Sequence, residues 1–300
     1  MKVSRNIFRN GLQEMKSRIG VDGVFRDYGD DLPLRSDLLS TDQLQGHAET
    51  LAEWHVMDRH PGEDQLHARL KANERVLLNA YRAVSEEIAQ NRPNSPAGEW
   101  LLDNFYLIEE QIRTTRRHLP KQYSRGLPRL CNGPTAGYPR VYDIALELIS
   151  HVDGRVDEDS FRNFITSYQR KEQLDLGELW AIPIMMRQAL IENLRRVAAR
   201  IAKGTIDRSN ASRWAEEFLR IAEQSPKELI LSVANMARQQ SGLSCALVAE
   251  MSRRLSGQGP ALAVPITWIE QRLAEEGKSI EQMVIAEGQQ QAVDQVSISN

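Results

Sequence analysis

The chain has 300 residues, of which 41% are hydrophobic and 26% charged, a composition that suits one large or two ordinary globular domains. The formal net charge of −3 creates no overall field that would attract nucleic acid, so we expect no nucleic-acid partner. The longest apolar run, Leu179–Met186, is far shorter than the ~20 residues that a membrane-spanning helix needs. With only two cysteines and no visible signal peptide, the sequence predicts a soluble chain from a reducing compartment.

Residues 1–35 contain four glycines and no helical stripe, which predicts a loosely ordered N-terminal arm. From residue 36 to 300, apolar residues recur at spacings of three and four. This pattern predicts an all-α domain, an irregular multi-helix bundle of nine to eleven helices with no significant sheet. A subdivision into a helical hairpin, 36–92, and a helical body, 95–300, fits the same pattern. The predicted helices cover residues 41–57, 63–91, 97–118, 140–152, 158–171, 176–203, 210–223, 226–240, 243–256, 265–276 and 280–294.

Local signals set the predicted helix ends. Capping boxes pair a serine with a Gln or Glu three residues later: Ser40 with Gln43, Ser225 with Glu228, and Ser279 with Gln282. Three glycines suit left-handed C-caps: Gly204, Gly257 and Gly277. Pro183 is expected to kink or restart its helix, because proline removes a backbone hydrogen bond. Residues 261–266 could form a strand, but Pro265 restricts it to a sheet edge.

The most informative stretch is a basic segment in which no acid occurs between Gln111 and Tyr142. Cations in the last turns of a helix complement its dipole, so the first three arginines have a structural explanation. The later ones lie in or beside a loop that this explanation does not reach. Since the arginine fork binds phosphate and carboxylate, we predict an anion-binding or domain-docking site here. Its residues are Arg113, Arg116, Arg117, Lys121, Arg125, Arg129 and Arg140.

Four segments of the chain resemble the N-terminal region of bacterial cyclic β-1,2-glucan synthases. They are EWLLDNFYLIEEQIR, HLPKQYSRGLPRL, GYPRVYDIALELISHVDGRVD and LGELWAIPIMMRQALIENLRRVAARIA. Members of this family are large inner-membrane glycosyltransferases that build a β-1,2-glucan ring from UDP-glucose, with a divalent metal. The resembling region precedes the transferase core. The resemblance implies a fragment on the cytoplasmic side of the membrane, whose partners are the remainder of the synthase and an anionic membrane surface.

The transferase motifs of that family do not occur here in usable form. Asp157-Glu158-Asp159 spells DxD, but no strand precedes it, and acids at this position favour a helix N-terminus. Asn210 to Trp214 is one residue away from QxxRW, and Asn210 is expected to be a helix cap. The resemblance therefore supplies no catalytic residue, no cofactor for this chain itself, and no decision on whether it is an enzyme.

Other chemistry is equally unsupported by the sequence. Four histidines fall between His47 and His67, but their spacings of eight, five and seven do not place two imidazoles on one helix face. We expect no metal site. Cys131 has no identifiable base partner, and Cys245 lies on an apolar helix face. A glycosidase pair could be drawn from the following carboxylates, although sequence places no two of them across a cleft: Glu109, Glu110, Glu178 and Glu192.

Three functions remain open from the sequence. The first is a non-catalytic region that docks or scaffolds the transferase core of a glucan synthase. The second is a free-standing helical glycoside hydrolase. The third is a helical adaptor that binds another protein.

Overall fold

The structure, a computed structural model, describes residues 38–60, 62–90, 92, 94–120, 122–152, 154–240 and 242–299; the predicted N-terminal arm lies outside them. Within these ranges the chain forms helices with one small antiparallel sheet, which confirms the all-α prediction. The helices are α1 Thr41–Trp54, α2 Gln65–Ala89, α3 Pro96–Asp103, α4 Phe105–His118, α5 Arg140–His151, α6 Glu158–Gln169, α7 Leu176–Gln224, α8 Leu229–Gln239, α9 Cys245–Leu255, α10 Ala263–Glu275 and α11 Ile280–Ser299. The strands are β1 Met57–Asp58 and β2 Arg129–Leu130.

Helix α7 is the largest departure from the predicted elements. It runs for 49 residues through both Pro183 and Gly204, where a kink or restart and a C-cap were expected. A glycine inside a helix costs only about 1 kcal/mol relative to alanine. Around Gly204, Ala202 and Thr205 are almost completely buried, so packing offsets that cost and the helix continues. Asn210 therefore lies inside a helix, and the prediction that it caps one was wrong.

Two further boundaries differ from the sequence-based expectation. The helix predicted at 97–118 is divided at Asn104, which separates α3 from α4. Residues 261–266 form a 3-10 turn and the start of α10, so the predicted edge strand was wrong. Pro265 is tolerated there because the first turn of a helix needs no intrahelical N–H donor.

Most of the predicted caps are confirmed. Ser40 and Gln43 bond reciprocally, as do Ser279 and Gln282. Gly257 and Gly277 have left-handed backbone angles, with φ of 78° and 70°. Ser225 makes no side-chain cap bond, because Pro226–Glu228 forms a 3-10 turn before α8 begins.

The chain divides into two compact units. The first unit comprises the described residues up to Ala80, then Asp103–Ala199 and the residues from Ser297. Its core is built around Tyr142, Phe164 and Tyr168. The second unit comprises Tyr81–Leu102 and Arg200–Val296, with a core that includes Phe218, Met236, Met251 and Leu273. No helix in the described part of the chain has the length and apolarity needed to cross a membrane.

Candidate docking surface

The first part of the basic segment lies on the surface of α4. Arg113 and Arg117 are four residues apart on one helix face, and both are exposed. Neither forms a hydrogen bond or ion pair with any residue that the structure describes. Arg116, on a neighbouring face, is held by Glu74, with 2.5 Å between Nη2 and Oε2. Two of the three helical arginines are therefore available to a partner.

The loop after α4 is shaped by a carboxylate. Gln122 adopts a left-handed backbone with φ of 69°, and its N–H donates to Oδ2 of Asp64 at 3.0 Å. The Ser124 hydroxyl donates to Oδ1 of the same carboxylate at 2.7 Å. Burial opposes ionisation of Asp64, but these hydrogen bonds outweigh it and hold the pKa of the carboxyl below its usual value. Arg125, in this turn, is exposed and donates from Nε to the Gly62 carbonyl at 3.0 Å; Lys121 lies outside the described residues.

The last two arginines of the segment are buried and do not reach the surface. Arg129 is 6% exposed, and its guanidinium donates to the carbonyls of Glu63 and Gly137. Arg140 is 0% exposed and forms a bidentate pair with Glu178, at 2.6 Å for both the Nε–Oε1 and the Nη2–Oε2 contacts. Both guanidinium groups are occupied by the fold. The sequence-based prediction grouped both with the docking residues, whereas here both side chains are buried.

An exposed apolar pair lies at the start of α7. Trp180 is 76% exposed and Leu176 is 67% exposed. The basic loop contacts this turn directly, because the Tyr123 hydroxyl donates to the Gly177 carbonyl at 2.8 Å. The sequence analysis overlooked Trp180, although it lies off the apolar stripe that includes Leu179. We call the following exposed residues the docking face: Arg113, Arg117, Arg125, Leu176 and Trp180.

The first unit buries a polar network. Nδ1 of His55 lies 2.8 Å from the Tyr168 hydroxyl, and its Nε2 lies 3.0 Å from Oδ2 of Asp143. Thr135 donates to the other oxygen of Asp143. Burial raises the pKa of Tyr168 to about 12. These residues have the composition of an acid–base relay. The His55 and Asp143 side chains are only 0% and 7% exposed, however, so a substrate could not reach them.

A second buried carboxylate, Glu192, lies on α7 with its side chain 1% exposed. Burial alone would raise its pKa, but hydrogen bonds and charge from Arg69, Arg195 and Arg196 lower the pKa to about 2. Arg69 contributes a bidentate contact, at 2.8 Å from Nε and 2.5 Å from Nη2. A carboxylate held ionised by three arginines is a poor general acid, and its burial keeps it from meeting a substrate as a nucleophile or base, which argues against Glu192 as a glycosidase residue.

The residues that imitate transferase motifs have structural roles. Asp157 caps α6: its carboxylate accepts from the Ser160 N–H at 2.8 Å and from the Ser160 hydroxyl at 2.7 Å. These bonds lower the pKa of the Asp157 carboxyl. Trp214 packs against Phe218, with ring centroids 5.9 Å apart. The prediction that Asp157 lies at a helix N-terminus is confirmed, and Trp214 packs against the core of the second unit.

The histidines from 47 to 67 have four different carboxylate partners and share no single site. His60 and His67 face Asp58 and Asp64, respectively, whereas His47 contacts α5. Cys131 is an exposed free thiol. Cys245 is half-buried, and burial raises the pKa of its thiol, which disfavours the nucleophilic thiolate.

The second unit carries an apolar groove of about 620 Å³ between α8 and α10. Val233, Val264 and Trp268 line it, together with Ile230, which is 66% exposed. A groove with so few polar groups lacks the means to orient a sugar or nucleotide.

The comparisons with known proteins give one informative match. No protein-family model matches the chain. The cyclic β-(1,2)-glucan synthase NdvB of Rhizobium meliloti (strain 1021) is 31% identical over 277 residues, which cover 91% of this chain. The matched region is 10% of that protein, so the chain spans about a tenth of the length of its curated relative. The resemblance to cyclic β-1,2-glucan synthases, expected from the four sequence segments, is confirmed.

Proposed function

We propose that this chain forms the non-catalytic N-terminal region of a cyclic β-1,2-glucan synthase, on the cytoplasmic side of the inner membrane, and that it docks against the transferase core. The observation that carries this proposal is the 31% identity over 91% of the chain. Because the match extends across both units, it favours a shared fold rather than a shared short motif.

A non-catalytic role is supported by where three of the candidate carboxylates lie; Glu109 and Glu110 are exposed on α4. Asp157 uses both oxygens to cap a helix, and Glu178 and Glu192 are buried against arginines. A glycoside hydrolase needs two carboxyl groups facing a substrate across a cleft. We therefore place the binding of UDP-glucose and its divalent metal in the rest of the synthase, and we favour the docking role over a free-standing hydrolase.

A docking role is supported by the composition of the docking face. Tryptophan and arginine are the residues that most often dominate protein interfaces. Trp180 is exposed here, and so are Arg113, Arg117 and Arg125. Arg113 and Arg117 have no partner among the described residues, so a partner's carboxylates could pair with them without breaking an internal bond. The occupant we propose is the transferase core of the same enzyme; an anionic membrane surface is the competing outcome.

The test is co-purification of this chain with the separately expressed remainder of the synthase. Trp180→Ala, and the double change Arg113→Ala with Arg117→Ala, should each weaken association by about tenfold or more, since interface anchors cost over 1 kcal/mol when truncated. The arginine variant should also flatten the salt dependence, because exposed charges are screened within ~8 Å at physiological ionic strength.

Matched controls are available on other surfaces. Ile230→Ala removes a comparably exposed apolar side chain, and Arg82→Ala with Arg155→Ala removes two other exposed arginines. Equal losses in these controls would show that the docking face is not the interface. Flotation of the unmodified chain with anionic liposomes, lost in the Arg113/Arg117 variant, would assign the face to the membrane instead.

Catalysis is tested separately. Incubated alone with UDP-[¹⁴C]glucose and Mg²⁺ or Mn²⁺, the chain should release no glucose and make no labelled glucan. Product formed in proportion to protein, and lost in Asp157→Ala, would overturn the non-catalytic assignment.

A further inference from the structure

A histidine–carboxylate cluster joins two helices of the first unit. Helix α1 supplies His47, and α5 supplies Glu147 and His151, which are four residues apart on one helix face. Nε2 of His47 lies 3.0 Å, and Nε2 of His151 3.6 Å, from the same oxygen, Oε2 of Glu147. One ligand atom from each of the three residues lies within 4.8 Å of the other two.

These separations match the spacing of ligands around one metal ion. Zinc binds imidazole nitrogen at about 2.0–2.1 Å, so two ligands in a tetrahedral site lie about 3.3–3.4 Å apart. The two distances to Oε2 of Glu147 bracket that value. The Nε2 atoms of two imidazoles approach the same carboxylate oxygen, as two ligands of one ion would.

The surroundings of the cluster would also suit an ion. The side chains of His47, Glu147 and His151 are 29%, 36% and 11% exposed, so the cluster is partly sheltered yet open to solvent. The two imidazole rings meet edge to face at 4.4 Å, and Phe164 lies 6.3 Å from His47 on the core side. Both imidazole rings are therefore packed against an aromatic neighbour beside the carboxylate.

We propose that His47, Glu147 and His151 bind one divalent transition-metal ion, with Zn²⁺ as the best-fitting ion and water in the remaining position. Two imidazoles and one carboxylate form a ligand set that zinc accepts, whereas Mg²⁺ and Ca²⁺ prefer oxygen ligands alone. The ion would join α1 to α5, so binding would stabilise the first unit.

No metal site was predicted from the sequence, because the spacings among the histidines from 47 to 67 place no two imidazoles on one helix face. The partners of His47 lie about a hundred residues further along the chain, at a spacing that only the fold brings together. The Glu-x-x-x-His spacing on α5 was the available local signal.

The test uses ZnCl₂ and the full chain after chelator treatment. Calorimetric titration should show one zinc per chain, and thermal denaturation should show a higher melting temperature with zinc. His47→Ala and His151→Ala should bind at least about 100-fold more weakly, because loss of even an outer-shell partner costs 10–100-fold. Glu147→Gln, which preserves the side-chain shape, should also weaken binding.

His60→Ala is the matched control. His60 pairs with the Asp58 carboxylate at 2.6 Å and is a histidine–carboxylate pair without the third ligand of the proposed site. Its removal should leave zinc affinity and the zinc-dependent melting shift unchanged. The visible spectrum of Co²⁺ added to the unmodified chain tests the proposal without any variant. Co²⁺ in a low-coordinate site of nitrogen and oxygen ligands absorbs far more strongly than hydrated Co²⁺. Absence of stoichiometric binding, or wild-type affinity in both histidine variants, would overturn the proposal.

Discussion

The two ends of the basic segment use the same residue type in opposite ways. At the end of α4, Arg113 and Arg117 are exposed and make no bond to a described residue. Past the loop, Arg129 and Arg140 are buried, and their guanidinium groups are taken up by carbonyl and carboxylate oxygens. One run of like charges in the sequence therefore contains exposed arginines that a partner could bind and buried arginines that bond within the fold.

What separates the two is the cost of removing a charge from water. A buried guanidinium persists only when other groups satisfy it, and it then becomes expensive to disturb. An exposed guanidinium keeps its hydration and adds little to stability. The difference predicts a graded series of effects on stability, from the most buried charge to the most exposed.

The largest effect is expected at the Arg140–Glu178 pair. Either Arg140→Ala or Glu178→Ala leaves one charge buried and uncompensated, which should lower the free energy of unfolding by about 3–5 kcal/mol. Urea denaturation measures this directly. The double change Arg140→Met with Glu178→Leu should recover most of the loss, because apolar replacement of both partners is often neutral. If either single variant were as stable as the wild type, the predicted difference between buried and exposed charges would be wrong.

The next effect concerns acid sensitivity at Glu192. Its folded-state pKa of about 2 lies below the ordinary value of 4.5, so its contribution is complete above pH 4.5 and is lost as the pH falls towards 2. The shift corresponds to about 3 kcal/mol at neutral pH. Glu192→Gln should be less stable at pH 7, and its stability should depend less on pH across that window. If the stability of the wild type and that of Glu192→Gln changed with pH in the same way, the arginines would not be holding this carboxylate ionised.

A smaller effect is expected at Arg129, whose partners are neutral carbonyls. Arg129→Ala should cost about 1.5–3 kcal/mol, the range for hydrogen bonds that involve a charged group. Hydrogen exchange should report faster opening of the neighbouring strand pair, β1 and β2. Arg129→Lys should rescue little, because an ammonium lacks the planar fork that spans two carbonyls. Full rescue by lysine would mean that charge alone matters at this position.

The smallest effect on stability is expected at the docking face. Removing the Arg113 and Arg117 side chains together should change the free energy of unfolding by only ~0–1 kcal/mol per residue, because exposed charges remain hydrated. Thermal denaturation checks this result, and it must be read beside the association assay. If this variant melts many degrees lower while association is unchanged, the two ends of the segment do not differ as the structure indicates.

The sequence predicted the fold well where the signal was local. Helical periodicity and the Ser40 and Ser279 capping boxes act within a few residues, so both were readable and both were correct. The C-cap predicted at Gly204 was wrong because the preference of glycine for ending a helix is weak. The burial of Ala202 and Thr205 outweighs it, and that burial depends on distant parts of the chain. Asn104 carries no strong stop signal, so the division between α3 and α4 was not visible.

The candidate surface was predictable only in part. The positions of Arg113 and Arg117 follow from α4 alone. Arg140 is held inside the fold by Glu178, 38 residues away, and Arg129 by Glu63, 66 residues away. No local pattern encodes such pairings. Trp180 could have been found, because a tryptophan off the apolar stripe is exposed in a helix of this kind.

The close contact between Arg129 and Gly62 predicts that these two positions vary together among relatives. A Cβ on Gly62 would overlap the guanidinium of Arg129, so any side chain there would displace the arginine from its carbonyl partners. Relatives that keep arginine at the position of residue 129 should therefore keep glycine at the position of residue 62, and the two should be lost together. Such paired inheritance would mark the descent of this loop even where overall identity becomes too low to recognise.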